Sequence, residues 1–383
     1  MSQTKPSITT SFSYETLEET LDIPPKAERM LIGIPRETAF QENRIALTPD
    51  AVGVLVSNGH EVMIEHDAGA GSHFKDKDYS EAGARIVHDK VTVYQCPILV
   101  KSAPVTEDDL SLLQFNQLII SPIHLSVMKS SILAKMMEKR ITAISFENLQ
   151  DDSGSYPIVR SMSEIAGSAV MLIAGQYLSS ANHGKGVLLG GISGIAPTKV
   201  IILGAGIVGE YATRAALAMG ASVKIFDNNI YRLKRMQNNI GQRLWTSVME
   251  PRLLAKQLKT CEVAVGALSS ASGRTPMVVS GCFETSEITS HEKPVFTKYG
   301  VIHYCVPNIP SGFSRTASQA ISNVLMPLLL QAGEEGGFEK LVWRRAHLRN
   351  GLYLFNGALT NYHLSQRFQL KYTDLNLLMT SSR

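Results

Sequence analysis

Short apolar runs alternate with segments of helical period along most of this chain. The exception is the start: residues 1–29 are polar, carry Pro24-Pro25 and keep no period, which predicts an accessory arm. At Met30 the pattern becomes regular. Leu31-Ile32-Gly33-Ile34 reads as a short strand, and Ala51, Val54 and Leu55 fall at helical spacing after Thr48-Pro49, with the proline suited to a first turn. Further apolar runs at 61–65, 98–100, 118–120 and 142–146 are each preceded by helical or turn residues. Such alternation predicts a parallel sheet covered by helices. Ser161-Met162-Ser163-Glu164 matches S-x-x-E, predicting a capping box ahead of a small-residue-rich helix over 165–178 that packs closely as a spine. A second βαβ series starts at Lys199. After it comes a long helix over 315–333, bent at Pro327, and a remainder too short for a third domain. The expected organisation is an arm over 1–29, a discontinuous substrate domain over 30–162 plus 331–383, and an inserted nucleotide domain over 163–330.

Composition narrows the function. The 383 residues suit two domains, and 37 Lys+Arg against 34 Asp+Glu, spread without long runs, argue against nucleic acid or an anionic membrane as main partner. Glu15, Glu18 and Glu19 stand where a signal peptide would need a basic end and an apolar run, and no window resembles a membrane span, so a soluble, cytoplasmic protein is expected. Cys96, Cys261, Cys282 and Cys305 form no C-x-x-C pair, which reads as free thiols and no metal site.

The clearest chemical signal follows the apolar run Val200-Ile201-Ile202-Leu203. Gly204-Ala205-Gly206-Ile207-Val208-Gly209 is the G-x-G-x-x-G pattern in its required setting: strand before, helix after, then Val223-Lys224-Ile225-Phe226 ending in the acid Asp227. Gly204 permits the tight turn, Gly206 lets a pyrophosphate approach the backbone, and Gly209 lets helix and strand pack. The phosphates would rest on the helix N-terminus, where unpaired N–H groups and the dipole favour negative charge. Asp227 would accept the ribose hydroxyls and repel a 2′-phosphate, so NAD is expected over NADP. Arg232, five residues on, is either a solvated helix residue or the cation that accommodates that phosphate.

Three further stretches carry a resemblance. Gly33-Ile34-Pro35-Arg36-Glu37-Thr38 with Glu42-Asn43-Arg44-Ile45-Ala46-Leu47-Thr48-Pro49 resembles the opening of alanine dehydrogenases and of the soluble part of proton-translocating transhydrogenase. Arg160-Ser161-Met162-Ser163-Glu164-Ile165-Ala166-Gly167, then Gly184-Lys185-Gly186-Val187-Leu188-Leu189-Gly190-Gly191, is similar to that family's inter-domain segment, and Tyr304-Cys305-Val306-Pro307-Asn308-Ile309-Pro310 continues the likeness. What the resemblance implies is oxidative deamination of L-alanine to pyruvate and ammonia with NAD, in a homo-oligomer that is often a hexamer. It also implies roles: Arg44 for the substrate carboxylate, Lys101 for substrate binding, His124 as general acid/base, and Ser163 and Asn308 at the nicotinamide end. The chemistry agrees, since an Arg fork suits a carboxylate, His suits proton transfer near neutral pH, and Lys101 ends a strand that should face the cleft. Taken singly, each residue is equally readable as a loop charge, a solvated strand end or a surface histidine. Competing readings are a transhydrogenase-type subunit, a dehydrogenase for another amino acid, and an NAD-binding homologue without turnover.

The last reading has a concrete basis. After the strand within 262–268, a doubly wound domain should supply a crossover and another strand, and the resembling family has about twenty more residues here than this chain, ending in an Asp followed by Gln-Gly-Gly. Between Ser269 and Pro294 the apolar clusters are Met277-Val278-Val279 and the lone Ile288, too little for a helix and a buried strand, and the chain has no Asp between Asp227 and Asp374. The expected fold class is therefore α/β, two Rossmann-like domains with parallel sheets joined by long helices, the nucleotide domain lacking one helix-strand unit. Either the segment 299–306 slides in to replace the missing strand, or Val278-Val279 supplies a short substitute. The expected consequence is residual NAD binding with turnover severely impaired.

Overall fold

The structure, a computed structural model, describes residues 28–124, 128–268 and 282–381. Most of the N-terminal arm and the cluster Met277-Val278-Val279 lie outside the described residues. The first sheet begins with β1 (Leu31–Ile34), β2 (Glu61–Glu65), β3 (Arg85–Val87), β4 (Ile98–Val100), β5 (Leu118–Ser121) and β6 (Thr142–Ser145), all parallel. Alternate residues face opposite sides: Val100, Ile120 and Ile144 belong to one apolar cluster, Leu99, Ile119 and Ala143 to the other. With helices on both faces, neither side of the strand can be polar, which is why these strands read as unbroken apolar runs. Each such fully buried aliphatic side chain contributes about 1.5–3 kcal/mol.

The second sheet holds β7 (Lys199–Leu203), β8 (Ser222–Phe226), β9 (Trp245–Ser247) and β10 (Val263–Gly266), again parallel, in the order β10-β7-β8-β9. Among the described residues β10 is its edge, with Ala264 and Gly266 exposed. The segment 299–306 does not pair with β10. Instead β11 (Val295–Lys298) and β12 (Val301–Tyr304) form a separate antiparallel hairpin whose two-residue turn, Tyr299-Gly300, has φ of 53° and 72°. Two consecutive positive φ values match the twist of a tight hairpin, so β12 is satisfied locally by its neighbour in sequence.

The chain then returns to the first sheet. β13 (Leu352–Phe355) pairs antiparallel with β6, and β14 (Ala358–Leu359) pairs with β13, giving the order β14-β13-β6-β5-β4-β1-β2-β3. Two long helices join the halves and pack against each other: Pro157–Leu178 and Ser314–Glu334, the second running through Pro327. The first starts eight residues before the expected 165, and the capping box does not form. Ser161 lies inside the helix, its hydroxyl donating to Pro157 O at 2.9 Å, while Glu164 pairs with Arg160 at 2.9 Å. Pro157, with fixed φ and no N–H to leave unpaired, is the better first-turn residue. By length and composition this helix is apolar enough to cross a membrane; here it packs on the helix Ile207–Ala218 and on its partner spine.

Candidate active site

In both sheets the strand order reverses beside the first strand of the series: β1 lies between β4 and β2, and β7 between β10 and β8. Ligands of open α/β sheets bind at such points, off the carboxyl ends of the strands. Glu37 follows β1, Lys101 follows β4 directly, and the glycine turn follows β7.

In the first half the segment 41–48 is stitched to the second spine and to the turn Ile309–Phe313 that leads into it. Asn43 N donates to Ser311 Oγ at 3.0 Å, Ile45 N to Ser318 Oγ at 2.9 Å and Thr48 N to Ser322 Oγ at 3.1 Å. Ser318 and Ser322 sit one helical turn apart on one face, so they serve a stretch of extended backbone that would otherwise bury unpaired N–H groups. That anchoring holds Arg44, which is buried. Its Nε donates to Glu42 Oε1 at 2.6 Å and its Nη2 to Glu42 Oε2 at 2.5 Å, while Nη1 lies 3.5 Å from Met162 Sδ. Burial acts to lower the guanidinium pKa, but Glu42, with help from Glu37 and Glu147, more than offsets it and raises the value.

Lys101 is also buried, with Nζ 2.9 Å from Glu37 Oε2 and 3.4 Å from Asp109 Oδ2. Desolvation by itself would lower the lysine's pKa; the two carboxylates together raise it, so the ammonium stays charged. Asp109 also accepts from Tyr94 Oη at 2.6 Å, Lys90 Nζ at 3.0 Å and Thr106 N at 2.9 Å. Burial pushes that carboxyl up, but Lys101 and these donors bring it well below the ordinary carboxylate range. Lys101 and Arg44 are tied together through Ser102, whose N donates to Glu37 Oε1 at 2.6 Å and whose hydroxyl donates to Arg44 O at 2.7 Å.

His124 reaches the same carboxylate network through Glu147. It follows β5 with a left-handed φ of 43°, is exposed, and has Nε2 3.8 Å from Glu147 Oε2. Among the described residues it shares no hydrogen bond or ion pair with Arg44 or Lys101, though Glu147, which accepts from His124 N at 3.2 Å, is felt electrostatically by Arg44. Ser163 turns its hydroxyl back onto its own helix, donating to Val159 O at 2.8 Å. Asn308 lies on the loop after β12 and reaches the first half, with Nδ2 3.4 Å from Glu42 Oε2. The carboxylates Glu37, Glu42 and Asp109 are the site residues that sequence reading passed over. Only Glu42 offered a local signal, two positions from Arg44; Glu37 and Asp109 reach Lys101 through the fold.

In the second half Gly204, Gly206, Gly209 and Asp227 come together. Gly204 has φ of 111°, and a Cβ on it would lie 2.3 Å from Ala267 O. Gly206 begins the helix Ile207–Ala218 without a side-chain cap, and a Cβ there would meet nothing within 4 Å. Open space beside uncapped helix N–H groups fits a pyrophosphate. Asp227 is buried with both oxygens engaged, Oδ2 accepting from Ala205 N and Oδ1 from Asn229 N, each at 2.7 Å. Each oxygen keeps a lone pair for a ribose hydroxyl. Arg232 is exposed; the guanidinium at the turn is that of Arg235, its Nη2 3.5 Å from Ala205 O.

Comparison with known proteins agrees with this geometry. The N-terminal domain profile of the alanine dehydrogenase/PNT family matches residues 33–166, and the C-terminal domain profile matches in two pieces, 169–281 and 280–362. An alanine dehydrogenase of Methanococcus maripaludis is 34% identical over 367 residues, covering 90% of this chain and 98% of its own. One from Staphylococcus epidermidis is 32% identical over 368 residues, covering 90% and 99%. A solved L-alanine dehydrogenase superposes with a TM-score of 0.82 at 32% identity, over 89% of this chain and 99% of the other. A transhydrogenase from Sinorhizobium meliloti shares the fold, with a TM-score of 0.70 at 18% identity over 87% and 99%.

Proposed function

The chain belongs to the alanine dehydrogenase/PNT family, and on that premise we propose that it is built for reversible, NAD-dependent oxidative deamination of L-alanine to pyruvate and ammonia. The observation that carries the reading is the convergence of a buried Arg and a buried Lys at the reversal point of one sheet with Asn308 from the nucleotide half. Arg44 would grip the substrate carboxylate and Lys101 would hold the polar group at Cα. His124 would carry the proton, with Glu147 beside it. Ser163 and Asn308 would line the nicotinamide end. The dinucleotide, on Gly204, Gly206, Gly209 and Asp227, would supply the hydride acceptor. NADH formation from L-alanine, run beside a direct NADH titration, tests the proposal; NADH binding with no response to alanine, pyruvate or ammonia would refute the substrate.

Asp227 supports NAD over NADP, because its buried carboxylate would face a 2′-phosphate at close range. Arg232, exposed on the helix after Asp227, is read as a solvated helix residue, and Arg235 sits at the glycine turn. Tighter binding of NADPH than NADH would overturn this.

Turnover in this chain would be severely impaired or lost. The family's crossover, further strand and Asp would stand between 269 and 281, and the sequence holds no acid between Glu262 and Glu284. The front of the nucleotide half, with its glycine turn and Asp227, is complete, which favours retained NADH binding.

A homo-oligomer, hexameric on the family's pattern, is supported by an apolar surface along the first spine and the segment beside it: Leu172, Leu188, Ile192 and Ile195 are all more than half exposed. Ile192→Glu should lower the mass measured by light scattering; an unchanged mass would discount that face.

A further inference from the structure

A guanidinium offers two edges for bidentate recognition: a side-on pair, Nε with Nη2, and an end-on pair, Nη1 with Nη2. In Arg44 the side-on pair is filled by Glu42, at 2.6 and 2.5 Å. The Glu42 side chain is itself 4% exposed, and its Oε1 also accepts Arg44 N at 3.0 Å, so the carboxylate is held at both ends of the same residue. Among the described residues the hydrogen-bond partner of Nη1 is the thioether of Met162, a weak acceptor. The arginine is thus fixed in its plane with one edge still to be satisfied. Its carboxylate clamp also reaches Asn308 Nδ2, on the nucleotide side of the cleft.

We infer that Glu42 is a positioning residue: by clamping the side-on edge of Arg44 it presents the end-on edge to the substrate carboxylate, and through Asn308 it sets that edge against the nucleotide half. The inference rests on the dehydrogenase reading. It follows from the chemistry of the pair, because a free guanidinium on three rotatable carbons would have to be ordered at each binding event, whereas a clamped one is ordered beforehand. Glu42 contributes no proton and touches no reacting atom in this role.

The test uses the full-length chain with NADH bound and pyruvate as probe, read by direct titration and, with ammonium, by steady-state turnover. Glutamine can accept from one Arg nitrogen but turns an N–H toward the other. Glu42→Gln should therefore weaken pyruvate binding by at least about tenfold, the worth of one charge-assisted hydrogen bond, appearing in KM more than in kcat. NADH affinity should fall less than pyruvate affinity, since among the described residues Glu42 meets Asn308 but shares no hydrogen bond with the glycine turn or Asp227. Glu42→Asp, which keeps the charge, should restore part of the loss, and it decides the matter if the glutamine variant does not fold. Unchanged pyruvate affinity in a folded variant, or a fall in kcat alone, would overturn the inference while leaving the dehydrogenase reading standing. Wild-type protein that binds NADH but not pyruvate would overturn both.

Discussion

Gly209 lies so close beneath Gly204 that a Cβ on it would fall 1.9 Å from the Gly204 carbonyl oxygen, whereas one on Gly206, between them, would meet nothing. The two glycines therefore fail differently when replaced. Gly209→Ala forces apart the helix and strand that form the turn, and should cost about 1–3 kcal/mol or more as an overpacked contact with backbone. Gly206→Ala should change stability by less than about 1 kcal/mol, yet weaken NADH about tenfold or more by filling the space a pyrophosphate needs. Denaturation and NADH titration of both variants check this. Equal NADH binding in Gly206→Ala and wild type would remove the turn from the cofactor site.

The Asp109 cluster predicts an acid-sensitive stability. Its folded pKa is depressed, so its contribution is fully present above the unfolded value of about 3.9 and is lost as pH falls below that toward the folded one. Lys101 has the opposite sign: with its pKa raised, its contribution is present below the unfolded value of about 10.4 and fades as pH climbs through the folded one. Asp109→Asn leaves Lys101 with Glu37 alone and should cost about 3–5 kcal/mol near neutrality. It should also flatten the slope of stability against pH below about 4. A slope identical to wild type in urea titrations would contradict the assignment.

Arg44→Lys keeps the charge and loses the fork. It should raise KM for pyruvate about tenfold to a hundredfold while NADH affinity holds, because a point charge does not reproduce two parallel hydrogen bonds. A pyruvate KM like the wild type's would mean the carboxylate is held elsewhere.

Restoring a family-type helix, strand and Asp between 269 and 281 should raise kcat by about a hundredfold or more, since small misplacements and a lost charge-stabilising group each cost that order. NADH affinity should rise modestly. A restored chain that turns over no faster would show that the existing site is already competent.

Strands buried on both faces, such as β4 and β7 after its exposed Lys199, announced themselves in the sequence because their buried positions are apolar throughout. The three-residue strands β3 (Arg85–Val87) and β9 (Trp245–Ser247) did not, being too short and too mixed to show a period. The start of the first spine was misread because S-x-x-E also occurs inside helices, where the serine can bond backward to its own turn. The glycine turn and Asp227 were legible because the motif is local. The carboxylates around Lys101 were not, since Glu37 meets it from 64 positions away, and a sequence shows charges without their partners. Arg232 and Arg235 differ by three positions on one helix, and only the helix's placement decides which reaches the turn.

The pairing of β13 with β6 has a bearing on how the protein is made. Leu354 meets Ala143, so the first sheet cannot be completed until almost the whole chain has left the ribosome. β7 to β10, by contrast, emerge in succession and pair within one another. Domains tend to fold as units during synthesis, and contacts distant in sequence form slowly. The nucleotide half would thus be in place while the β6 edge still waits, open to chaperones or to another nascent chain, for Tyr353 and Leu354 to close it.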